Sequence, residues 1–159
     1  MIEFTKGNLL ESKDSVLVNT VNTVGVMGKG IALQFKDAFP HNFRVYADAC
    51  HKGELYPGKL LIVKDYSPYY GEKTIVNFPT KVHWRNPSQY DYIEKGLVEL
   101  KKYLVGEKVN SISIPPLGCG NGGLEWKRVK AMIVSYLSDV ASTIHVYEPN
   151  AKVDSLLKK

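Results

Sequence analysis

The sequence predicts an α/β fold built on a mixed central sheet. Short runs of β-branched and aromatic residues alternate with stretches whose apolar residues recur at helical spacing. Some of these strand-like runs follow one another directly, which favours a mixed sheet over a wholly parallel one. With 159 residues and 44% hydrophobic content, the chain has enough material for one compact domain and too little for two.

Six runs have the composition of strands and are bounded by Gly, Pro, Asn or Asp: residues 2–5, 16–19, 60–64, 74–78, 111–114 and 143–147. Four stretches have the apolar spacing of helices: residues 30–39, 41–51, 90–103 and 124–140. Pro40 separates the first two helices, because proline cannot continue a helix. We therefore expect residues 1–149 to form the domain and residues 150–159 a C-terminal tail.

Composition argues against several classes of protein. The formal net charge of +5 at pH 7 favours a polyanionic partner without identifying one. Cys50 and Cys119 lie far apart with no CxxC spacing and no neighbouring His pairs, which argues against a disulfide framework or a zinc site and predicts a cytoplasmic location. No apolar run approaches the roughly 20 residues that span a bilayer, and the N-terminus lacks a signal-peptide pattern, so no membrane partner is expected.

Two glycine-rich loops each follow a predicted strand and precede a predicted helix. Loop one covers residues 19–29, and loop two, PPLGCGNGGLEW, covers residues 115–126. Glycine permits positive φ and close backbone approach, and backbone N–H groups at a helix start bind phosphate oxygens. Either loop alone would more readily be a tight turn, and neither matches the P-loop fingerprint. GCGNGG resembles GxGxxG only loosely, because no acidic residue follows at the right spacing on a later strand. Because ligands bind at the carboxyl ends of such strands, the pair predicts a diphosphate site.

The stretch KGNLLESKDSVLVNTVNTVGVMGKGIA, loop two and VYEP resemble segments of macrodomains, in order, over residues 1–149. VNTVNTVGVMGKGIALQF and the later NFPTKVHWR are similar to the DarG-type subgroup, antitoxins that remove ADP-ribose from thymidine in DNA. The resemblance implies a three-layer α/β/α fold with a six-stranded mixed sheet. It also implies ADP-ribose and ADP-ribosylated thymidine in single-stranded DNA as ligands, a DarT-type toxin as a candidate partner, and no metal or cofactor. We expect a monomer.

The resemblance implies catalytic roles for Lys81 and Asn22. Lys81 ends the motif NFPTK and would lie near the anomeric carbon, either as a nucleophile or as a cation that stabilises the leaving group. Without the resemblance, an exposed surface lysine would be the preferred interpretation. Asn22 matches the asparagine that binds the distal ribose, since an amide offers a donor and an acceptor together. The alternative for Asn22 is an Asx-turn within the loop.

Contacts to ADP-ribose are implied for residues of both loops and for two further segments. Asn19 is expected chiefly to order the loop backbone, and Cys119 and Asn121 are expected to act through their backbone N–H groups. Asn8 stands where many macrodomains carry an aspartate that contacts adenine, so adenine selectivity is less firmly implied than diphosphate binding. The full set is Asn8, Leu9, Asn19, Thr20, Val24, Gly25, Met27, Gly28, Gly30, Ile31, Pro116, Leu117, Gly118, Cys119, Gly120, Asn121, Gly122, Gly123 and Tyr147.

The segment after Lys81 has a composition suited to DNA. His83, Trp84 and Arg85 interleave aromatic and cationic side chains, which stack on bases and meet phosphates. An equal alternative makes Trp84 a packing residue and Arg85 a solvated charge. Two other functions also fit the fold: an ADP-ribose reader without turnover, and a hydrolase of ADP-ribosylated protein carboxylates or O-acetyl-ADP-ribose.

Overall fold

A single sheet organises residues 1–149, which are the residues that the computed structural model describes; the expected tail, residues 150–159, lies outside them. The strands are β1 (Ile2–Thr5), β2 (Val16–Val21), β3 (Leu61–Ser67), β4 (Gly71–Pro79), β5 (Ser111–Ile114) and β6 (Thr143–Tyr147). Their order is β1-β6-β5-β2-β4-β3. Only β3 and β4 pair antiparallel, so the prediction of a mixed six-stranded sheet is confirmed.

Four helices cover the sheet in two layers. They are α1 (Gly30–Ala38), α2 (Pro40–His51), α3 (Tyr90–Gly106) and α4 (Trp126–Leu137), with short 3-10 turns at Leu9–Glu11 and Gly120–Gly122. Buried side chains of α3 and α4 pack against one face of the sheet, and those of α1 and α2 against the other. The three-layer α/β/α architecture is therefore confirmed.

The apolar spacing of α3 shows why this segment is a helix. Ile93, Leu97, Leu100 and Leu104 recur at intervals of three or four residues and are all buried. Between them, Gly96 lies so close to Phe78 of β4 that a Cβ would stand 2.1 Å from its Cζ. This close packing fixes α3 against β4, whose carboxyl end leads to Lys81.

Several predicted boundaries are corrected by contacts that are distant in sequence. β2 continues to Val21, because its pairing with β4 extends as far as Pro79. Loop one therefore begins at residue 22, and Asn19 and Thr20 lie within the strand. The predicted fourth helix starts late, at Trp126, because the N–H of Leu124 donates to Gly118 O and closes loop two. Among residues 1–149, no helix is long and apolar enough to cross a membrane.

Candidate active site

The segments that follow β2, β4 and β5 meet at one edge of the sheet, because these strands are mutually parallel. Loop one joins the segment after β4 through the N–H and Oγ1 of Thr23, which both donate to Val82 O at 3.0 Å. Loop two joins that segment through the N–H of Ser88, which donates to Gly122 O at 2.9 Å. The structure thus brings together the two predicted loops, with the NFPTK segment between them.

Lys81 occupies the junction of these segments. Its Nζ donates to Asn121 O in loop two at 3.0 Å and to Trp84 O at 3.2 Å. Burial lowers the pKa of Lys81, and the nearby charge of Lys29 lowers it further. Within residues 1–149, no carboxylate forms an ion pair with either lysine. The junction is therefore a cationic site without a counter-ion, and it favours an anionic ligand.

Asn22 makes hydrogen bonds inside loop one. Its Oδ1 accepts from Val24 N at 3.1 Å, from Val26 N at 3.3 Å and from the Tyr46 hydroxyl at 2.8 Å, while its Nδ2 donates to Val26 O at 2.7 Å. The first of these is the Asx-turn that was the alternative interpretation of this residue. One Nδ2–H makes no hydrogen bond within residues 1–149. Ribose binding by Asn22 stays a prediction. In this conformation, the side chain of Asn22 has one N–H left to donate to a ribose hydroxyl.

Tyr46 is a supporting residue that the sequence did not indicate. It lies in α2, is fully buried, and donates at 2.8 Å to both the backbone oxygen and the Oδ1 of Asn22. Burial raises the pKa of Tyr46, so the hydroxyl stays a donor. A tyrosine at a core position of an amphipathic helix carries no sequence signal of this contact.

A buried amide network lies beneath loop one. Asn19 is fully buried, and its Nδ2 contacts Asn77 Oδ1 at 3.4 Å and Met27 Sδ at 3.8 Å. Asn77 is in turn paired with Asn42 of α2 through bonds of 2.8 and 3.2 Å. Asn19 therefore contacts loop one through the side chain of Met27, and its expected role in ordering the loop backbone stays a prediction.

Loop two adopts the conformation that its glycines predict. Gly118, Gly120 and Gly123 have φ values of +72°, +70° and +81°, in the left-handed region. A Cβ at Gly122 would stand 2.5 Å from Ser88 Oγ, so a side chain at this position would displace Ser88. The N–H of Cys119 donates to Pro116 O at 3.1 Å, which corrects the expectation that it is available to a phosphate.

The other residues predicted to contact ADP-ribose differ in accessibility. Met27 and Leu117 are buried and anchor their loops in the core, so a ligand would reach only their backbone. Asn8 caps the first 3-10 turn, because its side chain accepts a hydrogen bond from Leu10 N at 3.1 Å. Tyr147 packs against the same hydrophobic cluster as Leu9. The rest lie near the end of β2, along loop one and the start of α1, or along loop two: Thr20, Val24, Gly25, Gly28, Gly30, Ile31 and Pro116.

The proposed DNA-binding side chains form a cluster at the surface. The rings of His83 and Trp84 stack with centroids 5.4 Å apart, and Arg85 Cζ lies 4.7 Å from the centre of the Trp84 ring. Trp84 is 41% exposed, so it is not the core residue that the alternative interpretation required. DNA binding by these residues stays a prediction.

Among residues 1–149, no group of His, Cys, Asp or Glu has the arrangement of a metal site. A groove of about 610 Å³ lies elsewhere, against α3, lined by residues that include Tyr56, Lys95 and Val98. It contains none of the predicted site residues. The loop junction is the better candidate because it combines glycine-rich backbone, cations without a carboxylate partner in the described residues, and a lysine of lowered pKa.

Residues 18–133 match the model of the Macro domain family, and the chain belongs to that family. It is 48% identical over 160 residues to the DNA ADP-ribosyl glycohydrolase of Thermus aquaticus, covering 99% of this chain and 44% of that relative. Its structure is similar to the macrodomain of Mycobacterium tuberculosis DarG, with a TM-score of 0.89 and 45% identity over 94% of this chain and 99% of that one. It is also similar to Thermosipho africanus DarTG in complex with ADP-ribose, with a TM-score of 0.86 and 36% identity over 94% of this chain and 42% of that one. The chain thus spans less than half the length of the glycohydrolase.

Proposed function

We propose that this macrodomain is a DNA ADP-ribosyl glycohydrolase that removes ADP-ribose from thymidine in single-stranded DNA. The observation that carries the proposal is Lys81, held at the junction of the two loops with a lowered pKa and no carboxylate partner within residues 1–149. A reader needs no such cation at the scissile bond. Similarity to the Thermus aquaticus glycohydrolase and to DarG macrodomains supports the same activity.

The two loops bind the diphosphate in this proposal. Left-handed glycines let the backbone of loop two approach phosphate oxygens closely, and Lys29 adds a positive charge from loop one. Asn22 donates its one remaining N–H to the distal ribose. The adenosine then extends toward Asn8 and Tyr147. The DarTG complex with ADP-ribose supports this class of ligand.

Hydrolysis breaks the bond between the anomeric carbon and a thymine nitrogen. The bonding electrons leave with thymine, which takes up a proton, and positive charge develops on the ribose, where the neighbouring diphosphate stabilises it. Water then adds its hydroxyl to the anomeric carbon, so the products are ADP-ribose and thymidine. Residues 19–30 and 115–124 contain no Asp or Glu, so the glycine-rich part of each loop supplies no carboxylate base.

Lys81 has two chemically distinct roles available. As an ammonium ion it would donate a hydrogen bond to the departing thymine and stabilise its negative charge. As a neutral amine, which its lowered pKa favours, it would displace thymine at the anomeric carbon and lose a proton. The resulting glycosylamine would open its ribose ring to an imine, which water hydrolyses to ADP-ribose and the free amine. Reduction with borohydride during turnover separates the roles, because only the covalent route leaves a lysine adduct that mass spectrometry detects.

The proposal includes the location, the oligomeric state and the partner of the domain. The domain acts in the cytoplasm as a monomer and counteracts a DarT-type toxin that modifies thymidine. The similarity to DarTG of Thermosipho africanus supports this pairing. No metal or cofactor enters the reaction, since the charge is handled by Lys81, Lys29 and the substrate diphosphate.

The proposal is tested by comparing three substrates at equal concentration: a thymidine-ADP-ribosylated single-stranded oligonucleotide, a glutamate-ADP-ribosylated peptide and O-acetyl-ADP-ribose. Release of ADP-ribose is followed by chromatography. We expect rapid release from the oligonucleotide and at least tenfold slower release from the other two. If the oligonucleotide stays modified while the protein binds ADP-ribose, the domain is an ADP-ribose reader. If release from the peptide is faster, the domain is a hydrolase of ADP-ribosylated protein.

A further inference from the structure

We propose that the DNA strand flanking the modified thymidine lies along a surface ledge from Trp84 to Arg128, where Arg128 stacked on Tyr90 forms a second base-binding position. The ledge consists of residues 84–90 and the adjoining residues 121–128. This inference rests on the proposed function, because it assigns the path of the same DNA substrate.

Hydrogen bonds hold the two sides of the ledge together along its length. At one end, Lys81 Nζ bridges Trp84 O and Asn121 O. In the middle, Ser88 N donates to Gly122 O at 2.9 Å. At the other end, the N–H of Glu125 donates to the Tyr90 hydroxyl at 3.1 Å. The ledge thus begins at the proposed catalytic lysine and leads away from it as one continuous, fixed surface.

An arginine lies against an aromatic ring at each end of the ledge. Arg85 Cζ is 4.7 Å from the ring centre of Trp84, and Arg128 Cζ is 3.7 Å from that of Tyr90. Tyr90 is well fixed, because its ring packs against the core and its hydroxyl accepts from Glu125 N. Arg128 is exposed and forms no ion pair within residues 1–149.

A guanidinium supported on an aromatic ring suits single-stranded nucleic acid. Its outer face stacks on a base, and its N–H groups remain available to a phosphate. Residues 84–90 reach at most about 20 Å, which matches a few nucleotides of an extended strand. Stacking of this kind tolerates any base, so it fits a strand whose sequence is not read.

Two acidic side chains near the ledge, Asp91 and Glu125, differ in whether their charge is paired. Asp91 is already paired with Lys95 at 2.9 Å. Glu125 is exposed, and within residues 1–149 it forms no ion pair, so its charge opposes a phosphate at the Tyr90 end. Removal of this charge should therefore act in the opposite direction to removal of Arg128.

The test compares ADP-ribosylated thymidine as a nucleoside with the same modification within a 12-nucleotide single strand. In Arg128→Ala, we expect kcat/KM on the strand to fall by about tenfold more than on the nucleoside, since stacking of one base contributes about that factor. Glu125→Gln should raise kcat/KM on the strand. Arg44→Ala is the matched control, because Arg44 lies in α2 on the opposite face of the sheet. Melting temperatures confirm that each variant is folded.

Two results would overturn the inference: equal effects of Arg128→Ala on strand and nucleoside, or a loss with Arg44→Ala as large as that with Arg128→Ala. The salt dependence is a second readout, since the slope of log affinity against log salt should become shallower by about 0.7 on loss of one phosphate contact. If the wild type hydrolyses neither substrate, the proposed function fails. Anisotropy with an unmodified labelled strand then still decides whether Arg128 binds DNA.

Discussion

Two lysines at opposite ends of β4 differ in what surrounds them. Lys73, near the amino end, donates to Ser12 O at 2.9 Å and to Asp14 O at 2.6 Å. Lys81, just past the carboxyl end, also donates to two backbone oxygens, at 3.0 and 3.2 Å. Burial lowers the pKa of both. The two lysines thus share the type of hydrogen bond and the direction of the burial effect, although the bonds of Lys73 are more buried than those of Lys81.

Lys73 and Lys81 differ in the sign of the neighbouring charge. The carboxylate of Asp14 raises the pKa of Lys73 again, whereas the ammonium of Lys29 lowers that of Lys81 further. Asp14 is itself bound by Ser113 Oγ and His145 Nδ1, each at 2.7 Å. Lys73 is thus part of a compensated structural cluster. Within residues 1–149, no carboxylate compensates the charge of Lys81, which leaves it open to an anionic ligand, as a reactive or anion-binding lysine requires.

The largest stability effect should come from Lys73. In Lys73→Met, the carbonyls of Ser12 and Asp14 lose their donor and the Asp14 carboxylate loses a nearby positive charge, so we expect the free energy of unfolding to fall by about 2 kcal/mol. Lys81→Met should change it by less than about 1 kcal/mol, since its two hydrogen bonds are exposed. Urea unfolding of both variants measures the contrast, and equal losses would remove the distinction between the two lysines.

Asp14→Asn should have the next largest effect. Burial raises the pKa of Asp14, but hydrogen bonds from Ser113 and His145 outweigh it and leave the pKa below its ordinary value. The stabilisation is therefore complete above the pKa of the unfolded chain, near 3.9, and is lost as pH falls through the lower folded value. At pH 7 we expect the free energy of unfolding of Asp14→Asn to be about 1–2 kcal/mol below that of the wild type.

The same measurement repeated at lower pH isolates this carboxylate. Between pH 4 and pH 2, the difference between wild type and Asp14→Asn should shrink, because the wild type also loses its charge there. A difference that stays constant over this range would show that the hydrogen-bond geometry, and not the charge, accounts for the effect.

A smaller effect is expected at the support of loop one. Tyr46→Phe removes the hydroxyl that donates to Asn22, so loop one is held by fewer hydrogen bonds. The cluster around Lys73 is not changed by this substitution. We expect ADP-ribose to bind about five- to tenfold more weakly, in line with the loss of one or two hydrogen bonds. Tyr136→Phe is the matched control, since its hydroxyl donates to Glu94 at the surface, away from loop one. Calorimetric titration that gives equal affinities for Tyr46→Phe and wild type would contradict a supporting role.

The smallest effect should come from Lys29. In Lys29→Ala, the pKa of Lys81 rises toward that of an ordinary lysine, so the limb of the pH–rate profile that reports Lys81 moves to higher pH. If activity requires neutral Lys81, the variant is slower at pH 7 by about two- to fivefold, as expected for one partly screened charge. High salt should reduce the shift, because it screens exposed charges. An unmoved limb would mean that Lys29 does not act on Lys81.

The fold was predictable where its signals are local in sequence. Alternating strand-like and helix-like runs give the layers, and glycines at strand ends give the two loops. Contacts between distant residues were not predictable. The end of β2 depends on pairing with β4, and the roles of Tyr46 and Arg128 depend on which side chains α2 and α4 meet. Helical spacing shows that a residue is buried, but it does not show what its polar atom contacts.

The most direct measurement is single-turnover release of ADP-ribose from a thymidine-ADP-ribosylated single strand by wild type and Lys81→Ala, with ADP-ribose affinity measured in parallel. We expect wild type to clear the strand and Lys81→Ala to be slower by about a hundredfold or more, while both bind ADP-ribose. Equal rates for the two proteins would contradict the claim that the uncompensated lysine at the end of β4 carries the reaction.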